Sequence, residues 1–113
     1  EILVRTHGRT GMAIGLVGGS LFRASLKPVQ IDLEPGDTVV QYSDALIEGM
    51  GSNGEEYGLG RFAGSLLRYA DHGAQELVDA TVEKFTHFAG DRIEDDITLL
   101  ALRREPEPEP EEA

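Results

Sequence analysis

Two short apolar runs of β-type residues, Thr38 to Tyr42 and Ile97 to Leu102, stand far apart in the chain, and the hydrophobic residues between them recur at helical spacing. Leu59, Phe62, Ala63, Leu66, Leu67 and Ala70 fall at i, i+3, i+4, i+7, i+8 and i+11, one face of a helix. Asp71-His72-Gly73 breaks that pattern. A second helix is expected from Ala74, with Leu77, Val78, Thr81, Val82, Phe85, Phe88 and Ala89 as its buried stripe and Gly90 as its C-terminal stop. Strands outside and two amphipathic helices within describe a mixed fold of the α/β (α+β) class.

Upstream, Val29, Ile31 and Leu33 alternate with Gln30 and Asp32, the period-two signature of a half-buried strand. Pro35-Gly36-Asp37 reads as a turn, because proline presets φ and glycine admits positive φ. An antiparallel hairpin of residues 29–33 with 38–42 is the expectation. Ile2-Leu3-Val4-Arg5 reads as the end of another strand, and Gly11, Gly15, Gly18 and Gly19 punctuate the segment after it. Ile97 to Leu102 is nearly all apolar, which predicts an internal strand. The stretch from Gly49 to Gly58, with four glycines, is expected to be a loop.

A chain of 113 residues suits one small domain. That domain is expected over residues 1–104, and it reads as a piece of something longer. The tail Glu105 to Ala113 repeats Glu-Pro and holds five of the 21 acidic residues, so it is expected to be extended and disordered. The formal charge of −11 excludes a sequence-independent nucleic-acid binder, which needs clustered Lys and Arg for phosphate contacts. No run approaches the roughly 18 apolar residues of a membrane span. Cysteine is absent, which rules out disulfides and thiolate metal sites and suits a cytoplasmic location.

The chemistry-bearing residues lie at the ends of the two strand-type runs. Tyr42-Ser43-Asp44 closes the first and Asp95-Asp96-Ile97-Thr98 opens the second. Neighbouring strands deliver their ends to one edge of a sheet, so carboxylates there can converge on one hard cation. Read from their neighbours alone, Asp44 is first a strand-end residue capping the following turn, and Asp95 one of a solvated pair of acids, with the ligand role second. Asp37 is expected to bond its own turn. His7, His72 and His87 lack paired spacing, and no Gly-Lys-Ser/Thr comes after the early glycines, so neither a histidine metal site nor a phosphate loop is indicated.

Taken in order, Met12-Ala13-Ile14-Gly15-Leu16, Leu33-Glu34-Pro35-Gly36-Asp37, Tyr42-Ser43-Asp44-Ala45-Leu46-Ile47-Glu48, Gly54-Glu55-Glu56-Tyr57-Gly58 and Asp95-Asp96-Ile97-Thr98 resemble the closing motifs of the PPM-type (PP2C-like) serine/threonine phosphatases, SpoIIE/RsbU branch. The resemblance covers roughly residues 8–103 and implies half of an αββα sandwich. It implies a metal-dependent phosphoprotein phosphatase in which two Mn²⁺ or Mg²⁺ ions activate water, with Asp44 and Asp95 at the positions of metal-binding aspartates. It also implies a phosphorylated protein substrate, an anti-sigma-factor antagonist in bacterial signalling. The family's earlier motifs, an Asp-Gly pair and a Gly-Asp-Val-x-Gly-His-Gly segment, are absent. The 113-residue chain alone is therefore expected to be inactive and, with one sheet face uncovered, to associate as a homodimer. Ala45 replaces the family's glycine, and at positive φ it would displace Asp44. That departure favours the rival reading, a non-catalytic phosphatase-like regulatory or binding module.

Overall fold

The computed structural model describes residues 18–26, 28 and 30–108. Strand-type residues 2–5 and most of the glycine-punctuated segment lie outside that set. The elements run α1 (Gly19–Ser25), β1 (Thr38–Tyr42), α2 (Ala45–Glu48), α3 (Gly58–Arg68), α4 (Ala74–Ala89), a single 3₁₀ turn (Gly90–Arg92) and β2 (Leu99–Arg103). The two long helices fall where their periodicity places them. Asp71 to Gly73 separates them, and Gly90 ends α4.

β1 pairs antiparallel with β2, in the register Thr38↔Arg103, Val39↔Leu102, Val40↔Ala101, Gln41↔Leu100 and Tyr42↔Leu99. The expected hairpin with residues 29–33 is not formed: the described residues 30–33 are in no strand. The turn itself explains why. Asp37 N–H donates to Glu34 C=O at 2.9 Å, Pro35 and Gly36 are the central residues, and Gly36 has φ 91°. That is a type II turn, whose twist splays flanking strands, whereas tight hairpins use the mirror-image types. The backbone beyond the turn bonds to the end of β2 instead: Gly36 N–H donates to Arg104 C=O at 2.7 Å and Arg104 N–H to Asp37 C=O at 2.9 Å. The Asp37 carboxylate accepts Glu34 N–H at 3.0 Å, closing its own turn.

One face of this sheet packs on the helices. Val40, Ile97 and Leu99 pack against a buried cluster of Leu46, Tyr57, Phe62, Phe85 and Ala89. Phe85 meets Tyr57 edge-on at 5.3 Å, and Tyr42 meets Phe62 edge-on at 4.6 Å. In α4 the fully buried positions are Leu77, Thr81, Phe85 and Ala89, a strict i+4 row. α3 is rotated from its expected orientation: Phe62 and Ser65 are buried, while Leu59 and Leu67 are exposed. Ser65 tolerates burial because its Oγ lies 3.3 Å from Arg61 C=O and 3.4 Å from the Tyr57 hydroxyl.

The opposite face of the sheet is uncovered among the described residues. Leu100 is 58% and Leu102 63% exposed. β2 pairs there only with β1, so the internal position expected from its composition is not seen among the described residues. Leu100 and Leu102 carry exposed apolar surface of the sheet, and Ile31, outside any strand, is exposed as well. No described helix is long and apolar enough to cross a membrane.

Candidate functional site

At the end of β1 the chain passes from strand to helix within two residues. Ser43 continues the ladder, with its N–H donating to Thr98 C=O at 2.9 Å. Asp44 is already in the αR region (φ −58°, ψ −24°) as the N-cap of α2. Its carbonyl accepts from Ile47 and Glu48, both at 2.9 Å. The Asp44 side chain makes no capping bond to α2, so the turn-cap role weighed for it is not the one it fills. Asp44 is exposed.

Across the sheet, Asp95 and Asp96 precede β2 and are also exposed. One Asp95 carboxylate oxygen accepts the Asp96 N–H at 2.8 Å, folding the side chain onto its own backbone. Thr98 N–H donates to Ser43 Oγ at 3.0 Å, and the Ser43 hydroxyl donates to Asp96 C=O at 3.5 Å. These bonds bring the Asp44 and Asp95–Asp96 segments to one end of the sheet, although they lie in different halves of the sequence.

The loop after α2 is held tightly. Gly51 N–H donates to Glu55 C=O at 2.8 Å, and Tyr57 N–H to Gly49 C=O at 2.7 Å. Arg61 reaches back from α3, donating to the carbonyls of Glu56 (2.7 Å) and Tyr57 (3.0 Å), with its guanidinium 4.6 Å over the Phe88 ring. It also pairs with Glu55 at 3.2 Å. The loop therefore seats α2, and with it Asp44, on α3 and α4.

The model of the family "Stage II sporulation protein E (SpoIIE)" matches residues 4–105. The chain belongs to the SpoIIE family. Among solved structures it is similar to the SiaA-PP2C domain of Pseudomonas aeruginosa, with 31% sequence identity and a TM-score of 0.59. That match covers 65% of this chain and 31% of the SiaA-PP2C chain, so the chain corresponds to part of a PP2C-type phosphatase domain. No curated protein matches it.

Within this SpoIIE-family chain the concern over Ala45 disappears. Among the described residues no residue other than glycine has positive φ, and Ala45 is the first residue of α2. Alanine is the best helix former and is unstrained there. PP2C-type enzymes are metal-dependent, and the donors here are of the right kind: exposed carboxylates, hard oxygen ligands suited to Mn²⁺ or Mg²⁺. Among the described residues no group of three or more His, Cys, Asp or Glu side chains gathers. The carboxylates of Asp44 and Asp95 are of the chemistry such an ion takes, and the described residues hold no complete coordination shell. The bonding parts of Ser43 and Arg61 are not legible in the sequence. A serine beside an aspartate carries no sequence signal for a partner 55 positions away, and Arg61 declares itself only once the loop is folded.

Proposed function

We propose that the chain is the C-terminal portion of a metal-dependent protein serine/threonine phosphatase domain, with a phosphorylated anti-sigma-factor antagonist as substrate. The observation that carries this reading is the Ser43–Thr98 pairing in a SpoIIE-family chain, which brings the Asp44 and Asp95 segments to one sheet end. When bound, Mn²⁺ or Mg²⁺ supplies an acidified water and charge neutralisation at phosphorus. The residues of this chain supply the setting. Asp44 and Asp95 offer anionic oxygens that offset cationic charge, and their exposure leaves room for a phosphoprotein surface. The α2 backbone and the Arg61-held loop fix the backbone from which the Asp44 carboxylate projects. Because the chain spans 31% of the SiaA-PP2C chain, the remaining ligands are assigned to the rest of the domain. The regulatory-module reading rested on Ala45, and a helical Ala45 gives it no support.

Asp44→Asn and Asp95→Asn in the complete domain test the proposal. Each amide keeps the shape and removes the charge, so Mn²⁺ affinity and phosphopeptide turnover should both fall by at least about 10-fold. Folding should be unaffected, since both side chains are exposed. Wild-type turnover and Mn²⁺ affinity in both variants would refute it. Loss with Asp44→Asn alone would move the second ligand to Asp96.

A further inference from the structure

The Ser43 side chain fills a place in the β1–β2 ladder that a backbone carbonyl normally fills. From this we infer that Ser43 is a positioning residue, holding the Asp44 and Asp95 carboxylates in register with one another. The inference rests on the metal-site reading above and adds to it the device that joins the two strand ends.

Directly opposed residues of an antiparallel pair exchange two N–H···O=C bonds at every second position. The register sets Ser43 opposite Thr98 at such a position, in step with the Arg104–Asp37 bond at the other end of the sheet. Ser43 N–H makes the outgoing bond to Thr98 C=O, at 2.9 Å. The return bond is not made: the backbone bends into α2 after Ser43, and Ser43 C=O is turned to Leu46 N–H, which it accepts at 3.1 Å. Thr98 N–H donates to Ser43 Oγ instead, at 3.0 Å. The Ser43 hydroxyl in turn donates to Asp96 C=O, 3.5 Å away. Asp96 in turn donates its N–H to the Asp95 carboxylate at 2.8 Å.

Ser43 is therefore tied to the segment carrying Asp95 twice, through its N–H to Thr98 C=O and through its Oγ to Thr98 N–H, while its C=O holds the first turn of the helix that begins after Asp44. It lets β1 turn into a helix at Asp44 without releasing β2. Alanine at this position would keep the backbone bond and lose the return bond. With one bond of the pair left, the Asp95–Thr98 segment would be held less firmly relative to Asp44. Water can satisfy the exposed Thr98, so global stability should change little while metal affinity falls. Threonine carries the same hydroxyl and should preserve the link.

The test compares Ser43→Ala and Ser43→Thr in the complete domain. The readouts are Mn²⁺ binding by calorimetry, hydrogen exchange of the Thr98 amide without metal, the thermal unfolding midpoint, and phosphopeptide kcat and KM. Ser43→Ala should bind Mn²⁺ roughly 10-fold more weakly. Its Thr98 amide should exchange faster, its kcat should fall with KM held, and its unfolding midpoint should stay near wild type. Ser43→Thr should match wild type throughout. Wild-type Mn²⁺ binding and Thr98 protection in Ser43→Ala, beside lost binding in Asp44→Asn, would overturn the positioning role while leaving the metal site standing. Equal loss in the alanine and threonine variants would also overturn it, since the hydroxyl would not be the cause. If Asp44→Asn and Asp95→Asn both bind Mn²⁺ like wild type, the metal-site reading fails and this inference fails with it.

Discussion

Gly49→Ala probes the link between the buried core and the candidate site. Gly49 ends α2, the helix that begins at Asp44, and its backbone (φ −57°, ψ 131°) is one that alanine adopts without strain. The cost is therefore steric alone. A Cβ at this position would lie 2.5 Å from Phe85 Cε2, closer still to Cζ, and 3.2 Å from Ala45 C=O. Carbon atoms rest at about 3.5–4.0 Å, so ring and helix must separate by about 1 Å. Phe85 is 1% exposed and braced edge-on by Tyr57, so it has nowhere to retreat. Overpacking of this kind costs about 1–3 kcal/mol. In a domain of 150–250 residues that lowers the unfolding midpoint by roughly 2–12 °C. Because α2 would lift from α4, the Asp44 carboxylate would move as well, and phosphopeptide turnover should fall with stability. Gly64→Ala is the control: Gly64 is exposed on α3, with nothing within 4 Å of its added Cβ. It should stabilise by up to about 1 kcal/mol. Thermal unfolding of both variants decides the matter. A Gly49→Ala domain as stable as wild type would refute the close packing of α2 on Phe85.

Ala45→Gly should lower the unfolding midpoint slightly, by no more than about 1 kcal/mol, and should not raise kcat, because Ala45 is helical. A gain in turnover with glycine would show that the backbone there must reach positive φ in the working enzyme. The 113-residue chain alone should release no phosphate from a phosphopeptide with Mn²⁺, since no group of three or more potential ligands gathers among the described residues; turnover equal to the complete domain would contradict this. The same isolated chain should self-associate through the face carrying Leu100 and Leu102, and Leu100→Glu with Leu102→Glu should shift it toward monomer in sedimentation. A monomeric unmodified chain at high concentration would contradict that prediction.

The features legible in the sequence are those decided by neighbours within a turn or two. Helices α3 and α4 announce themselves through their 3.6-residue period, and Gly90 through its place after the last periodic residue. The Pro35-Gly36 turn and the Asp37 bond that closes it arise from local backbone chemistry. The SpoIIE resemblance was likewise legible, because its motifs are short and lie in a fixed order. The partner of β1 was not. Alternation marks a strand but does not say which edge it meets, and the type II twist at Gly36 turned residues 30–33 away from β1 and left its pairing to β2. Nor was the buried face of α3 legible, since a stripe of Leu59, Phe62, Leu66 and Leu67 is wider than the surface α2 and α4 can cover. Packing buried Phe62 and left the two outer leucines in water. The short α2 is too brief to have a period of its own, and its end is seated by tertiary contacts: Gly49 C=O accepts Tyr57 N–H and Gly49 lies against Phe85. Ser43 is the clearest case. Its hydroxyl gains a role only when tertiary structure has bent the backbone at Asp44 and placed Thr98 opposite, because a hydrogen bond between residues 55 apart depends on distances that no local pattern encodes.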